Sequence, residues 1–348
     1  MPAPVALIIG ITGQDGSYLA EFLLAKGYVV HGLRRRTSAP NPAHILPLMD
    51  AASGRLQLHH GDLTEVGSLL RVLQRCRPDE VYNLAGPTLP PEQVPQQMAE
   101  LIVLGTQRLI DAIRLHDPQR RLRLFQASGH EIFGRGLGVP AHEATALRPD
   151  STLGVARLQA YWMIAQARER DGLHAASGIL FPHDSPRRGA NSLSQRLTRA
   201  VRDWREMDQG AAAPLRLDRL DVVRDWGHAR DHVEAMWRML QQKAPTDLVL
   251  SSGASYSLRE VTARAFALVG LPIRWEGQDL EGVGRCQASN GILLRVVDAG
   301  SFGGLVDATG DPTLARQLLG WQPAISLDAL LAEMLEPKHQ APLAAAGS

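Results

Sequence analysis

Val5-Ala6-Leu7-Ile8-Ile9-Gly10-Ile11-Thr12-Gly13-Gln14-Asp15-Gly16-Ser17-Tyr18-Leu19 is the stretch on which the fold turns. Five apolar residues make a short strand, three glycines make a tight turn, and Tyr18, Leu19, Phe22 and Leu23 supply one apolar face of a helix. The glycines let the backbone turn sharply and approach a pyrophosphate. The helix N-terminus offers free N–H groups and the positive end of its dipole. A glycine triplet alone is weak, but between a strand and a helix it reads as a dinucleotide site. Gly10, Thr12, Gly13, Gln14, Asp15 and Gly16 are then the expected cofactor contacts.

The next strands extend that site. The second, Tyr28 to Leu33, ends in Arg34-Arg35-Arg36, where an acidic residue would hold a free ribose 2′-hydroxyl. Guanidinium forks suit a 2′-phosphate, so Arg35 and Arg36 point to NADP. The third, Leu56 to Leu58, leads to His60-Gly61-Asp62-Leu63, whose carboxylate can accept from an adenine amino group. The fourth leads to Asn83-Leu84-Ala85-Gly86, small residues beside a cofactor.

Strand and helix alternate to about residue 182, which predicts an α/β fold with a doubly wound parallel sheet, the Rossmann arrangement. Leu248-Val249-Leu250 reads as a returning strand, so the second half is interleaved. Residues 1–182 form the expected NADP-binding domain, with returning segments near 215–256. Residues 183–336 form mainly a smaller C-terminal substrate lobe, drawn from the helix after Asn191 and the segments after Ser257 and Asp311. Residues 337–348, rich in Ala, Pro and Gly, read as a frayed tail.

With 348 residues, 45% of them hydrophobic and 21% charged, the chain can bury a large core. Its 37 basic residues oppose 36 acidic ones, so neither nucleic acid nor an anionic membrane is an expected partner. Cys76 and Cys286 lack metal-ligand spacing and His59-His60 are adjacent; the twelve histidines read as loop or surface residues and no metal is expected. There is no secretory or transmembrane run, so the cytoplasm is the expected compartment.

In this order the segments resemble the extended short-chain dehydrogenase/reductase superfamily. Longer strings narrow the resemblance: Gly10 through Leu24, Gly178-Ile179-Leu180-Phe181, and His183 with Ser185-Pro186-Arg187-Arg188-Gly189-Ala190-Asn191. Arg224-Asp225-Trp226-Gly227-His228-Ala229, Val233-Glu234-Ala235-Met236-Trp237 and Val283-Gly284-Arg285-Cys286 extend it. Over nearly its whole length the chain resembles the GDP-mannose 4,6-dehydratase family. The resemblance implies an NADP-dependent cycle on a GDP-linked sugar: oxidation at C4, loss of water across C5 and C6, and return of hydride to C6. It also implies His183 and Arg188 as cofactor contacts and Arg196 and Arg224 as substrate contacts.

The catalytic positions are where the chain departs from that pattern. Gly129 stands at the family's threonine, His130 at its serine, Leu153 at its tyrosine and Arg157 at its lysine, a position that also contacts cofactor; Glu131 keeps the C5 base. Leu153 has no lone pair to take the C4 hydroxyl proton, and general-base catalysis is worth roughly 10²–10⁴-fold. Glu131 can take a C5 proton only once C4 is a carbonyl. His130 titrates in an accessible range and is a candidate acceptor, beside a plain hydrogen-bonding role on its loop. Phe302-Gly303-Gly304-Leu305-Val306-Asp307 replaces the family's nucleotide clamp, Pro182 replaces an asparagine, and the loop from Pro87 to Pro91 is short.

The expectation is an NADP-binding relative that is inactive or severely impaired in the family reaction. The alternative is a nucleotide-sugar-modifying enzyme with altered chemistry through Glu131, His130 and Arg157. A homodimer or homotetramer is expected, the helix from Gly154 to Arg170 burying Leu158 and Tyr161 against a second subunit. An active paralogue is a further candidate partner.

Overall fold

The computed structural model describes residues 2–35, 44–52, 54–86, 95–135, 137–206, 213–217, 219–277, 282–296 and 307–336. Arg36, the loop from Pro87 to Pro91 and the segment 302–306 lie outside the described residues.

The first half alternates as β1 (Val5–Ile9), α1 (Gln14–Ala25), β2 (Val29–Arg34), α2 (Leu46–Ala51), β3 (Leu56–His60), α3 (Val66–Cys76) and β4 (Glu80–Asn83). Next come α4 (Pro95–Met98), a π-helical turn over Ala99–Leu104, α5 (Gly105–His116), β5 (Arg123–Gly129), a 3-10 turn His130–Ile132, α6 (Thr152–Asp171) and β6 (His174–Leu180). Then follow β7 (His183–Asp184), α7 (Leu193–Glu206), β8 (Leu215–Leu217), β9 (Val223–Asp225), β10 (Gly227–His228), α8 (Ala229–Leu240) and β11 (Leu248–Leu250). The chain closes with β12 (Ser255–Ser257), α9 (Leu258–Leu268), β13 (Ile273–Glu276), β14 (Val283–Cys286), β15 (Ile292–Val296), α10 (Thr313–Leu319) and α11 (Leu327–Leu335).

Seven strands form one parallel sheet in the order β3-β2-β1-β4-β5-β6-β11. Strand order reverses between β1 and β4, which opens a crevice above their carboxyl ends. Both faces are covered, the reason β1 is apolar throughout. Ala6 and Ile8 pack with Tyr18, Leu19 and Met236 on one side; Leu7 and Ile9 pack with Leu73, Ile110 and Ile164 on the other.

The smaller lobe is a four-stranded sheet, β13-β14-β15-β8, packed against α7, α9 and α11 through Trp204, Phe266, Leu294 and Leu331. The segment after Asp311 divides, with α11 joining this lobe as expected and α10 not. Ala315 and Leu319 of α10, with Trp321, belong to the core under the large sheet, beside α8.

Leu158 and Tyr161 of α6 are half-buried, packed against Ile132, Phe133, Phe181 and Val249 of their own chain. Val155 and Trp162 of the same helix face outward, seven residues apart and 55% and 54% exposed. One further expectation is corrected, since the histidines are not mainly surface residues: His31, His59, His183, His228 and His232 are buried, because each finds a ring or polar partner inside. No helix among the described residues is long and apolar enough to cross a membrane.

Asp247 locks α6 to the sheet. It accepts from Arg168 Nη1 at 2.9 Å and Nη2 at 2.8 Å, and from the Ser177 backbone N–H of β6 at 2.6 Å. Removing the carboxylate leaves a largely buried guanidinium and a strand N–H unpaired. Asp247→Ala is expected to lower stability by about 2–3 kcal/mol, read as a drop in urea midpoint with unchanged slope.

Candidate functional site

A cleft of about 820 Å³ lies over the carboxyl ends of the central strands. At its phosphate end the turn after β1 runs with Gly10 at φ +88° and closes with a Gly13 N–H to Gly10 carbonyl bond of 3.0 Å. A methyl at Gly16 would lie 2.3 Å from the Gly10 carbonyl oxygen, so only glycine lets α1 begin so close to the strand. Gly13 caps α1 without a side chain, which leaves its first-turn N–H groups available for an anion.

The side chains of Gln14 and Asp15 are already engaged. Gln14 Nε2 donates to Asp15 Oδ1 at 3.0 Å and to the His183 carbonyl at 3.3 Å, while its Oε1 accepts from Ser185 Oγ at 2.8 Å. His183 Nε2 lies 3.0 Å from Asp15 Oδ1 and its ring stacks on His232 at 4.2 Å. Burial works against charge on both groups, yet Asp15 raises the His183 pKa and His183 holds Asp15 well below the usual carboxylate range. Burial and that charge bring His232 down to about 3, so it is neutral. This latch ties the β1 turn to the segment after β6.

Toward the other end Leu33, Arg34 and Arg35 line the cleft, with Asp62, Leu63, Leu84, Ala85 and Gly86 from the next two strands. Arg34 Nε is buried without a hydrogen-bond partner, and its Nη2 is 3.4 Å from His60 Nε2. Asp62 Oδ1 accepts from the Thr64 N–H at 2.9 Å. Sequence reasoning missed Thr106 and Ser128, which line the cleft with buried hydroxyls that lack partners. Orphaned polar atoms of this kind mark a ligand surface; the position of Ser128 near the end of β5 was the available clue.

Arg188 and Arg224 also line the cleft. Arg188 Nε is 3.6 Å from Asp184 Oδ1; Arg224 Nε is buried and unpartnered, with its pKa lowered by burial. Arg196, an expected substrate contact, does not line it. The cleft meets α7 at Ser192, Leu193 and Ser194, and Arg196 lies beyond that end.

At the catalytic end Gly129 and Arg157 form one unit with the retained Glu131, and Leu153 stands beside it. Leu153 and Arg157 sit four residues apart on α6, hence on one face. Leu153 packs half-buried with Met98, Ile102, Val103, Ala156 and Ala160, an apolar wall. Arg157 Nη1 donates to Glu131 Oε2 in a tight ion pair, with both side chains about one quarter exposed. A Cβ at Gly129 would lie 1.9 Å from Arg157 Nη1 and 2.4 Å from Glu131 Oε2. The guanidinium thus occupies the volume of the side chain that position 129 lacks, and its fork is turned to Glu131 rather than kept for a ribose.

Burial opposes ionisation of Glu131, but Arg157 and then His130 bring its pKa from 4.5 to about 2. Burial holds His130 below its ordinary value, helped by Arg224 and Arg157 and opposed by Glu131. Its ring lies 5.5 Å from Phe181, its Nδ1 is 3.7 Å from Glu131 Oε2, and it lines the cleft as a neutral imidazole.

Two outcomes test this unit. Gly129→Ala is expected to cost about 1 kcal/mol or less, because it displaces the ends of two flexible side chains, and the cost should shrink in the Arg157→Leu background, a coupling that a double-mutant cycle in urea measures. The pH dependence should also invert. With its pKa depressed, the contribution of Glu131 is complete above about pH 4.5 and lost as pH falls toward 2. In Arg157→Leu burial dominates and raises the pKa, so stability should instead fall as pH rises above 4.5, checked by urea midpoints from about pH 3 to 7.

Comparison with known proteins gives concordant matches. A family profile described as GDP-mannose 4,6 dehydratase matches residues 7–334. The chain is 40% identical over 341 residues to the GDP-mannose 4,6 dehydratase of Homo sapiens, covering 96% of this chain and 91% of the relative. It is 41% identical over 338 residues to the GDP-mannose 4,6-dehydratase of Sinorhizobium fredii (strain HH103), covering 95% of each. Among solved structures, a Bacillus anthracis dTDP-glucose 4,6-dehydratase in complex with NAD aligns with a TM-score of 0.78 at 17% identity over 96% of both chains. A Streptomyces venezuelae dTDP-glucose 4,6-dehydratase with NAD bound aligns with a TM-score of 0.78 at 22% identity over 95% of both. These two likenesses show the α/β fold with its large parallel sheet.

Proposed function

We propose that this chain, which belongs to the GDP-mannose 4,6-dehydratase family, binds NADP and a nucleotide sugar but is inactive or severely impaired in the family's dehydration. The observation that carries this reading is the Arg157–Glu131 ion pair lying across Gly129.

The cleft fits a nicotinamide dinucleotide. Gly16 lets α1 start hard against the β1 turn with its first-turn N–H groups uncapped by a side chain, and the buried Arg34 Nε, with Arg35 beside it, suits a 2′-phosphate. When bound, such a cofactor supplies a hydride acceptor. The residues around it support little else of the reaction. Leu153 gives no acceptor for a C4 hydroxyl proton, and Gly129 gives no hydroxyl to polarise it. Glu131, ionised and clamped by Arg157, is a weak base for a C5 proton, since a carboxyl near 2 sits far from the pH at which it would act. Arg224 suits the diphosphate of a sugar nucleotide, by charge and by its unpartnered Nε, while Arg188 lines the cleft as a cofactor contact.

One observation favours a second reading, an enzyme with altered chemistry on a nucleotide sugar. His130 is a neutral imidazole on the cleft wall beside Glu131, a possible proton acceptor working with Glu131 and Arg157. Val155 and Trp162 on α6 offer the outward apolar stripe for a homodimer or homotetramer.

The protein incubated with GDP-mannose and NADP should yield no product lighter by one water in mass spectrometry. Enzyme-like turnover that vanishes in His130→Ala would favour the second reading. Restoring Leu153→Tyr and Arg157→Lys should tolerate Gly129→Thr, whereas Gly129→Thr alone should break the Arg157–Glu131 pair by pushing its two flexible ends aside. Calorimetry should give at least tenfold tighter binding of NADP than NAD, with the preference reduced in Arg35→Ala; equal affinities would refute the 2′-phosphate assignment. Light scattering at micromolar concentration should give at least twice the 37.9 kDa chain mass.

A further inference from the structure

Away from the cleft, three groups with metal-ligand chemistry meet between the sheet edge and α3. His31 of β2 and His59 of β3 are diagonal neighbours on the face that α3 covers, since Leu33 pairs with His59 and His31 with Gln57. Cys76 closes α3 over them. All three are buried, at 7%, 8% and 7% exposure. His31 Nδ1 is 2.9 Å from His59 Nε2, which is 3.5 Å from Cys76 Sγ, and the three donor atoms lie within 4.8 Å of one another.

Such convergence is costly in an apolar layer that includes Leu33, Leu69, Val72 and Leu73, where three hydrophobic side chains would pack without polar atoms. Metal–nitrogen bonds of about 2.0 Å and metal–sulfur bonds of about 2.3 Å around a trigonal centre put N···N at roughly 3.5 Å and N···S at roughly 3.7 Å. The His31–His59 and His59–Cys76 spacings need to open by up to about half an ångström, and Cys76 Sγ must turn toward His31 to close a triangle whose donors already lie within 4.8 Å of one another. We infer that His31, His59 and Cys76 form a site for one thiophilic d¹⁰ cation, copper(I) ahead of zinc(II).

The preference follows from charge and coordination. Arg75 is the charged side chain that acts on all three donors. Zinc(II) on one thiolate would leave a net positive charge buried beside it, whereas copper(I) leaves none. Three donors also complete a trigonal copper(I) centre, while zinc(II) would require a fourth ligand from water. Binding replaces the Cys76 S–H bond with a metal–sulfur bond and releases that proton. Burial pushes the thiol up to about 12, against a smaller opposing effect of Arg75. Burial, the neighbouring histidine and Arg75 bring His31 down to about 4, and burial and Arg75 lower His59. An imidazole binds a metal through a ring-nitrogen lone pair without losing a proton, so one proton should leave per metal, from Cys76.

The test uses reduced, metal-free full-length protein under anaerobic conditions, titrated with copper(I) against a competing chelator and separately with zinc(II). One equivalent of copper(I) should survive gel filtration, with one proton released and with melting raised by roughly 4 °C at a hundredfold excess over Kd. Cys76→Ala and His59→Gln should each lose the metal while keeping a cooperative melt and unchanged NADP binding; the cleft serves as an internal control of folding. No retained metal, or equal retention in both variants, overturns the site. Tighter binding of zinc(II) than of copper(I), lost in the same variants, overturns the order of preference.

Discussion

The start of α1 lies so close to the turn after β1 that a methyl at Gly16 would meet the Gly10 carbonyl oxygen at 2.3 Å, and the rest of the cleft is arranged around that approach. It aims the helix N-terminus along the sheet's carboxyl edge, where a phosphate gains both free N–H groups and the dipole. The Gln14 and Asp15 side chains then reach across to Ser185 and His183, which fixes the segment after β6 relative to the turn. A buried aspartate and histidine are costly to hold charged alone, but each is the other's counterion. The geometry of the latch and its protonation are consequences of one packing constraint.

The altered catalytic end follows the same logic of mutual dependence. Arg157 is longer and wider than a lysine, and its guanidinium needs room and a counterion. Gly129 provides the room and Glu131 the counterion. Two replacements that look independent along the chain, Gly129 and Arg157, form a single packed unit in space with the retained Glu131. Leu153 is separate: it continues the apolar cluster of Met98, Ile102 and Val103 to the cleft wall.

Polar groups buried away from the cleft matter for a different reason. His31, His59 and Cys76 occupy positions where the sheet edge and α3 would pack as well with aliphatic side chains. Their cost is accepted in an apolar layer whose members Ile9, Leu33 and Leu63 line the cleft.

The strand-turn-helix opening, the parallel order of the sheet and the returning strand Leu248–Leu250 were legible in the sequence, because local glycine chemistry and apolar runs of strand length specify them. So was the family, since its strings are long and lie in order. The replacements at Gly129, Leu153 and Arg157 were also visible, as absences. Tertiary structure decided what replaced them: 28 positions separate Gly129 from Arg157, and only the packing of α6 against the end of β5 places a guanidinium in the space of a missing side chain. It likewise decided that Arg196 lies beyond the cleft, that α10 packs under the large sheet, and that His31, His59 and Cys76 meet. Each depends on which face an element turns toward a neighbour distant in sequence, and local pattern does not fix that.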